Sequence, residues 1–535
     1  MWSLLLASLL LTLCGLTVSA YDNSRYDNVV VYWGQNSYGA GHSDTANYQK
    51  SLAYYCDDNS IDVFPVAFLH VFFGPGGLPS MNLANSCNPT DNSTFPGSTL
   101  PNCSSLASDI ATCQSKGKIV TLSMGGATGA VGFSSDSQAS AFGQLIWDLF
   151  LGGKSSTRPF GSAVLDGIDL DIEGGTSAYY ATFVEKIRSL GAASGKKYYF
   201  TAAPQCVYPD AALGTVLNAV AFDAVYVQFY NNYCGLQNFG QASNWNFGIW
   251  DNWARSLSKN KNTKVYVGAP ASSSAAGGGY VDINTLTSIA TQMRKSFPSF
   301  GGVMMWDASQ AYANNRFDRA VKNALVAAGG TGFTYPACSP PAYAAGRQYS
   351  GGAQVSYGGY IWQAKWSASS QPEHNPSGEW SASASFSPLC SQCMRRYFNY
   401  HIHLYDDHDD RYDDHDDHDN HHEYTHPDAW GLLSRGSRMV EYYHLRWERS
   451  GRLQVVTIFG QQAGGPLETP LEASAAGVWV DNGQCTSSRR TANAPTAAGK
   501  GSTGTPEQPS SDGIIASLAD ALLDRRHRII FAREP

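Results

Sequence analysis

The sequence lacks the excess of basic residues with which nucleic-acid binders meet phosphate. It has 36 Lys and Arg residues against 44 Asp and Glu residues, and its net charge at pH 7 is -8. It also lacks a second long apolar run after residues 4–16, and that first run is shorter than the roughly 20 residues that span a bilayer. We therefore expect neither a nucleic acid nor a membrane as a partner.

The first apolar run leads into Val18-Ser19-Ala20, the small-residue pattern that signal peptidase accepts. We expect residues 1–20 to be a signal peptide and the protein to be secreted, extracellular or in the cell wall. Removing Cys14 with this peptide leaves ten of the 11 cysteines, and an even number in an exported protein indicates disulfides. Sequons at Asn92 and Asn102 indicate glycosylation.

Four acids lie within one apolar segment, residues 166–173, which reads DGIDLDIE. On a strand, alternate side chains share a face, so Asp169, Asp171 and Glu173 lie together and Asp166 lies opposite. Crowded carboxylates raise one another's pKa, which suits general acids. The alternatives are a solvated edge strand or a calcium loop, although the ligand spacing of an EF-hand is missing. We expect Asp166 to be structural, bonded to backbone near the strand start.

Eight apolar runs before residue 330 alternate with helical patterns. The predicted strands are 29–33, 63–73, 118–124, the acidic segment, 197–202, 224–230, 264–268 and 302–306, and the clearest helices are 137–150, 177–190 and 283–296. This alternation predicts an α/β fold, a (β/α)8 TIM barrel over residues 21–330. Too few residues separate Pro270 from Gly302 for an α+β insertion domain.

A barrel of this kind carries its functional residues at the carboxyl ends of its strands. The candidates at these ends are Tyr32, Gln35, Gly125, Gly126, Asp171, Glu173, Gln228, Tyr230, Asn231 and Trp306. Each has an alternative interpretation when taken singly, because glycines after strands are common in turns and aromatic residues are common in cores.

Taken together, these motifs resemble family-18 glycoside hydrolases, the chitinases. Residues 166–173 resemble the DGxDxDxE signature, and the YWGQN, SxGG and QFYNN segments at 32–36, 123–126 and 228–232 follow in the expected order. The similarity covers residues 27–328 and is nearest to the fungal and plant-type (class III) branch. It implies a secreted endochitinase that cleaves the β-1,4 N-acetylglucosamine linkages of chitin in an open groove.

The resemblance also implies a retaining mechanism in which the substrate's own acetamide attacks. Glu173 would protonate the glycosidic oxygen, Asp171 would accept the acetamide N–H, and Asp169 would share a proton with Asp171. Tyr230 would donate to the acetamide oxygen, and Trp306 would lie under the sugar. The other substrate-binding candidates are Tyr32, Gln35, Gly125, Gly126, Gln228 and Asn231. We expect no cofactor, no metal and a monomer.

Similarity to plant-type chitinases implies disulfides Cys56–Cys113, Cys87–Cys103 and Cys206–Cys234. Two other functions remain open, an endo-β-N-acetylglucosaminidase acting on N-glycans and an inactive chitin-binding lectin. The presence of Glu173, Asp171 and Tyr230 argues against the lectin.

Residues 331–393 are rich in Tyr, Trp and Gly and contain a predicted hairpin around Gly358-Gly359. They resemble a small β-rich chitin-binding module of the family-5/12 type. The candidate sugar-binding aromatics are Tyr360, Trp362, Trp366 and Trp380. The family commonly has two adjacent aromatics where this chain has Trp366-Ser367. A Cys338–Cys390 disulfide would stabilise so small a unit.

Residues 394–535 begin with a tract rich in Asp, His and Tyr, residues 397–426. The codons of these residue types become Thr and Ser codons when the reading frame shifts by one base. A Thr/Ser-rich linker is typical of secreted fungal hydrolases. We therefore hypothesise a shift of the reading frame near Met394, with non-native sequence beyond it. If the tract is genuine, we expect a disordered tail with weak, adventitious metal affinity.

Overall fold

The computed structural model describes residues 20–387 and the backbone of five strands between residues 429 and 489. Packing divides the chain into two units. The first holds the described residues up to Pro336 together with Ala344–Gln354 and Ile361–Ser385. The second holds Ala337–Tyr343, Val355–Tyr360 and the described residues from Phe386 onward.

Eight parallel strands form a closed barrel in the first unit, which confirms the predicted fold. They are β1 (Asn28–Val31), β2 (Val63–Val71), β4 (Ile119–Gly125), β5 (Gly167–Asp171), β6 (Tyr199–Ala202), β7 (Ala224–Gln228), β8 (Lys264–Pro270) and β9 (Phe300–Trp306). The barrel closes because β1 pairs with both β9 and β2. A short strand, β3 (Ser80–Met81), pairs antiparallel with β2.

Ten α-helices are described in the first unit. They are α1 (Ser37–Gly41), α2 (Leu52–Tyr55), α3 (Ala107–Ser115), α4 (Asp136–Phe150), α5 (Tyr180–Ser194), α6 (Gly214–Ala219), α7 (Phe247–Asn252), α8 (Ile283–Ser296), α9 (Ala308–Ala313) and α10 (Phe317–Ala327). Side-chain caps from Ser135 and Asp282 begin α4 and α8 close to the predicted positions. Between β8 and β9 the chain forms the single α-helix α8, so the described residues contain no insertion domain there.

The predicted structural role of Asp166 is confirmed by its contacts at the start of β5. Its carboxylate accepts a hydrogen bond from the backbone N–H of Val120 at 2.9 Å and forms an ion pair with Lys196 at 2.9 Å. It thereby joins the beginning of β4 to the beginning of β5. These contacts give a structural reason for the predicted orientation of Asp166, away from the other three acids of the segment.

Three disulfides join the predicted partners, Cys56–Cys113, Cys87–Cys103 and Cys206–Cys234. The predicted Cys338–Cys390 bond stays a prediction because Cys390 lies outside the described residues. The predicted signal peptide likewise lies outside them, except for its last residue. Within the part of the chain that the structure describes, no helix is long and apolar enough to cross a membrane.

Three strands follow the barrel, β10 (Gln354–Tyr357), β11 (Tyr360–Ala364) and β12 (Trp380–Ser385), and they form a sheet in that order. Within the first unit, β12 packs directly on the barrel's helix α7. The Ser381 hydroxyl donates to the Trp245 carbonyl at 3.3 Å, and the Ser385 hydroxyl donates to the Ser296 carbonyl at 3.1 Å. This strand is therefore fixed to the barrel.

Five further strands form an antiparallel sheet in chain order, β13 to β17. They are β13 (Ala429–Leu432), β14 (Met439–Trp447), β15 (Leu453–Gln461), β16 (Ala475–Asp481) and β17 (Gln484–Arg489). This sheet differs from the expected tail without regular structure. Runs such as Val455-Val456-Thr457-Ile458-Phe459 consist of β-branched and aromatic residues, which favour strands. The Asp/His tract of residues 397–426 lies outside the described residues.

Because β12 packs on α7, we expect a glycine-to-alanine change at Gly248 to lower stability, the opposite of its usual effect in a helix. A glycine-to-alanine change in a helix ordinarily stabilises it by up to about 1 kcal/mol. A Cβ at Gly248 would stand 2.4 Å from the carbonyl oxygen of Ala382. We therefore expect Gly248→Ala to destabilise the protein by about 1–3 kcal/mol, as overpacking does, in thermal unfolding followed by circular dichroism.

The matched control is the same substitution in a chain ending at Pro336, which lacks β12. There Gly248→Ala should be neutral or stabilising. Equal destabilisation in both chains would contradict the packing of β12 on α7.

Candidate active site

A groove of about 390 Å³ lies at the carboxyl ends of the barrel strands, a size that suits a small-ligand site. Nine of the predicted site residues line it: Gln35, Gly125, Gly126, Asp171, Glu173, Gln228, Tyr230, Asn231 and Trp306. They come from five barrel strands or the loops that follow them. Closure of the barrel therefore brings together residues that are far apart in sequence.

Strand β5 arranges three of the four acids by depth. Asp169 is completely buried, Asp171 is 4% exposed, and Glu173, two residues beyond the strand end, is exposed in the groove. Ile168 and Leu170 alternate with them and are buried as well. The strand thus forms a column of carboxyl groups that runs from the barrel interior to its rim.

Asp169 is held by three hydroxyl groups, one from the residue that follows β1 and one each from β4 and β6. Tyr32 and Ser123 donate to its Oδ2 at 2.7 and 2.8 Å, and Thr201 donates to its Oδ1 at 2.7 Å. Burial raises the pKa of Asp169, and these three hydrogen bonds oppose that rise. The predicted sharing of a proton between Asp169 and Asp171 stays a prediction.

Asp171 is oriented by Gln228, which lies at the end of β7. The Gln228 amide donates to Asp171 Oδ1 at 3.0 Å and to the carbonyl of Ala203 at 2.9 Å. Burial raises the pKa of Asp171 well above its usual value, and the negative charges of Glu173, Asp169 and Asp210 raise it further. Asp171 therefore binds a proton more readily than an ordinary aspartate.

Glu173 has a raised pKa as well. Partial burial within the groove is the main cause, and the negative charge of Asp210 is the second. The charge of Glu173 also raises the pKa of Asp171, so the protonation of the two groups is linked. A carboxylic acid that keeps its proton and faces a groove can act as a general acid.

Tyr230 lies beside this pair at the end of β7 and is 7% exposed. Burial raises its pKa well above the ordinary value, and the charges of Asp171 and Glu173 add to the rise. Its hydroxyl is therefore a permanent hydrogen-bond donor in the groove. Gly279 packs closely against Tyr230. A Cβ at Gly279 would stand 2.6 Å from the Cα of Tyr230, so no side chain fits there.

Trp306 lies across the groove at the end of β9. Its ring stacks on Phe68, with centroids 5.7 Å apart and an interplanar angle of 17°, and it lies 5.6 Å from the ring of Tyr32. These contacts hold the indole as a flat apolar surface. The arrangement offers one aromatic face opposite a pair of protonatable acids.

Comparison of the sequence with known proteins identifies one family. The family described as "Glycosyl hydrolases family 18" matches residues 28–286. Endochitinase 33 of Trichoderma harzianum is 41% identical over 329 residues, covering 59% of this chain and 97% of that protein. The chain belongs to glycosyl hydrolase family 18.

Other relatives are longer than the matched region. Chitinase 2 of Rhizopus oligosporus is 47% identical over 314 residues, which cover 59% of this chain and 55% of that protein. The chain thus spans about half the length of the first curated relatives that it matches. Among solved structures, a chitinase from Ipomoea carnea is 34% identical and covers 56% of this chain and 99% of its own, with a TM-score of 0.46.

Two predicted substrate contacts are largely used by the protein itself. Tyr32 is 2% exposed and is not among the described residues that line the family-18 groove. It lies one layer deeper, where its hydroxyl holds Asp169. Gln35 lines the groove, but its amide nitrogen donates to the carbonyls of Ala67 and Asn82 at 2.7 and 2.9 Å. Only its oxygen remains for a ligand.

Asn231 and the two glycines lie on the groove wall. The Asn231 side chain accepts a hydrogen bond from the N–H of Gly278 at 3.0 Å, which fixes the loop after β8. The N–H of Gly126 donates to the carbonyl of Asp171 at 2.7 Å. At Gly125, whose φ is +118°, a Cβ would stand 2.1 Å from that same carbonyl oxygen. The glycines therefore position the backbone of the acid.

Several groove residues were not predicted from the sequence. They are Phe68, His70, Asn82, Ala127, Thr128, Ala275 and Ala276. Of these, His70 could have been suspected from the sequence, because it is a titratable residue near the end of a predicted strand. Burial lowers its pKa. Asp210, which acts on the acid pair, was also missed because it belongs to none of the family motifs.

The four aromatic residues predicted to bind sugar beyond the barrel are not equivalent. Tyr360, Trp362 and Trp380 are 5%, 2% and 2% exposed, so their rings have no open face for a sugar. Trp366 is 47% exposed. Stacking on a pyranose is therefore available to Trp366 alone within this set, because the other three pack inside the small fold.

Gly125 predicts a stability difference that tests the position of Asp171. Gly125→Ala and Gly132→Ala both place a side chain at a positive φ, +118° and +128°, but a Cβ at Gly132 meets nothing within 4 Å. We expect Gly125→Ala to lower stability by about 2 kcal/mol more than Gly132→Ala, because of the clash with the Asp171 carbonyl. Thermal unfolding of both variants measures this difference, and equal losses would contradict the described geometry.

Proposed function

We propose that this family-18 chain is a secreted endochitinase that hydrolyses the β-1,4 N-acetylglucosamine linkages of chitin. The observation that carries the proposal is the pair Asp171 and Glu173, both with raised pKa values, in a groove that also presents Tyr230 and Trp306. The names of its relatives, chitinases and an endochitinase, support the same substrate class. Secretion is supported by the apolar segment before Ala20.

The first step breaks the bond between the anomeric carbon and the glycosidic oxygen. Protonated Glu173 gives its proton to that oxygen, which leaves with the bonding electrons. The oxygen of the substrate's own acetamide forms the new bond to the anomeric carbon, so the protein need not supply a nucleophile. Asp171 accepts the acetamide N–H and stabilises the positive oxazolinium ion that results.

The second step reverses this chemistry with water. Glu173, now ionised, removes a proton from a water molecule, whose oxygen attacks the anomeric carbon. The bond to the acetamide oxygen breaks, and its electrons return to the amide. Two displacements leave the anomeric configuration unchanged.

The surrounding residues orient the acetamide and the sugar. Tyr230 donates its hydroxyl to the acetamide oxygen, as its raised pKa favours. Asp169, held by three hydroxyl groups, contributes a negative charge below Asp171, which helps to stabilise the cation that forms above it. The face of Trp306 lies under the sugar at the cleavage point.

An open groove favours cleavage within a chain. No insertion separates β8 from β9 in the described residues, so no additional domain adds a wall on that side. A polymer can therefore lie across the strand ends with both of its ends outside the groove. We therefore propose endo-cleavage.

The central test replaces Glu173 with a group of the same shape that cannot transfer a proton. Glu173→Gln should lower kcat on chitin hexamers by about 10²–10⁴-fold, the usual contribution of a general acid, while KM changes little. Asp171→Asn should be comparably impaired because it removes the charge that holds the acetamide. Steady-state kinetics with chromatographic product analysis measures both variants.

Asp166→Asn is the control, since this carboxylate belongs to the same motif but bonds to Val120 outside the groove. Near-normal turnover by Glu173→Gln would refute the proposal.

Proton NMR of the first product should show the retained anomer, and an inverted anomer would refute the mechanism. Cleavage of a glycoprotein with no action on chitin oligomers would indicate the N-glycan activity, and binding without cleavage by the wild type would indicate a lectin.

We further propose that Trp366 binds chitin outside the groove. Trp366 is 47% exposed, and its backbone lies against Gly351 in the same packing unit, where a Cβ added to Gly351 would stand 3.3 Å from the Cα of Trp366. The neighbouring Lys365 is held by the carbonyl of Pro376 at 2.7 Å. An exposed indole can stack on a pyranose.

Trp366→Ala should weaken retention on insoluble chitin and leave kcat on short soluble oligomers unchanged. Loss of one stacked aromatic ring costs about 1 kcal/mol, so we expect roughly fivefold weaker binding in a depletion assay. Tyr54→Ala, which removes a 53% exposed ring elsewhere on the first unit, is the matched control. Equal retention of the two variants would remove the binding role of Trp366.

A further inference from the structure

We propose that Asp210 is a positioning residue for the Asp171–Glu173 pair, acting through the Gln205–Gln228 contact and through a fixed negative charge beside the groove. Asp210 lies in the loop between β6 and α6, outside the family motifs that identify the site. The proposal rests on the proposed chitin hydrolysis for its kinetic consequence. Its structural and electrostatic parts can be tested without that activity.

The carboxylate of Asp210 is held in a single orientation by backbone N–H groups. It is 6% exposed and accepts hydrogen bonds from the N–H groups of Gln205, Ala212 and Leu213 at 2.9, 2.9 and 2.5 Å. These donors are neutral, so they orient the carboxylate without cancelling its charge. Asp210 is therefore both a clamp on its own loop and a fixed negative charge.

The clamp reaches Asp171 through two short steps. Gln205, whose N–H is bound by Asp210, forms a parallel β-bridge with Gln228. The side chain of Gln228 in turn donates to Asp171 Oδ1 at 3.0 Å and to the Ala203 carbonyl at 2.9 Å. Movement of the Asp210 loop would therefore displace the amide that orients Asp171.

The charge of Asp210 acts on both acids. After burial, Asp210 is the second cause of the raised pKa of Glu173, and it contributes, after Glu173 and Asp169, to the raised pKa of Asp171. The other titratable groups facing this pair are Asp169 from β5, His70 from β2, Tyr32 just after β1 and Tyr230 just after β7. Among the described residues that line the groove, no lysine or arginine offsets these negative charges.

The direction of the kinetic effect follows from the role of Glu173. As a general acid it must hold its proton when the substrate binds, so activity falls as the pH rises through its pKa. Asp210 raises that pKa and extends activity to higher pH. Removing the charge of Asp210 should lower the pKa of Glu173 and move the alkaline limb of the pH–rate profile to lower pH.

The experiment compares the full chain with its Asp210→Asn variant. We measure kcat/KM on soluble chitin oligomers across pH and, separately, the carboxyl titration of Glu173 by ¹³C NMR of glutamate-labelled protein, assigned with Glu173→Gln. We expect the alkaline limb and the Glu173 titration to shift together to lower pH. Activity on the acidic side should be retained, a result that general loss of structure would not give.

Asp282→Asn is the matched control, because Asp282 also binds two backbone N–H groups with its carboxylate but lies at the start of α8, outside the groove. It should leave both titrations unchanged. Asp210→Ser is a second variant that keeps an oxygen acceptor while removing the charge. It should give the same shift, and thermal unfolding identifies folded samples.

An unchanged Glu173 titration in a folded Asp210 variant would overturn the proposal. So would a wild-type Glu173 that titrates at the ordinary value of a glutamate. If the wild type hydrolyses no chitin oligomer, the proposed function fails, whereas the NMR titration still decides the role of Asp210. The two failures are therefore distinguishable.

Discussion

Burial of like-charged carboxyl groups on one face of β5 is the constraint on which the rest of the site depends. Desolvation and mutual repulsion both disfavour their charged forms, so the barrel must supply hydrogen-bond donors from other strands. Tyr32, Ser123 and Thr201 do so for Asp169. Tyr32 directly follows β1, and the other two lie on the strands on either side of β5. The site therefore exists only in the closed barrel, because no local segment contains these donors.

The same constraint explains why the number of hydrogen-bond donors around each acid decreases along β5 toward the groove. Asp169 has three hydroxyl donors, Asp171 has the Gln228 amide, and Glu173 reaches the groove, where a substrate can meet it. Burial raises the pKa of all three acids, and the fixed hydrogen-bond donors oppose that rise for Asp169 and Asp171. Groups that the fold has fixed in advance can stabilise charge that develops in a reaction without having to reorganise. Asp210 fits this scheme as a charge that the fold holds beside the acid pair without exposing it.

The segment beyond the barrel has a different relation to the proposed function. Strand β12 bonds to the barrel through Ser381 and Ser385, and Gly248 permits its close approach to α7. A unit attached in this way holds Trp366 in place within the first packing unit. The other three aromatic residues stabilise the small fold by being buried, which is the use that a small core makes of large rings.

The sequence by itself determined the order of strands and helices, the family, the parity that separates Asp166 from the other three acids, and the three disulfide partners through family resemblance. Period-two alternation decides which face a side chain takes, but it carries no information on depth. Only the tertiary structure decided that Tyr32 lies beneath the groove, that the Gln35 amide binds backbone, that Trp380 is buried, and that Asp210 stands near the acid pair. Each of these depends on contacts between residues distant in sequence, which barrel closure and packing create.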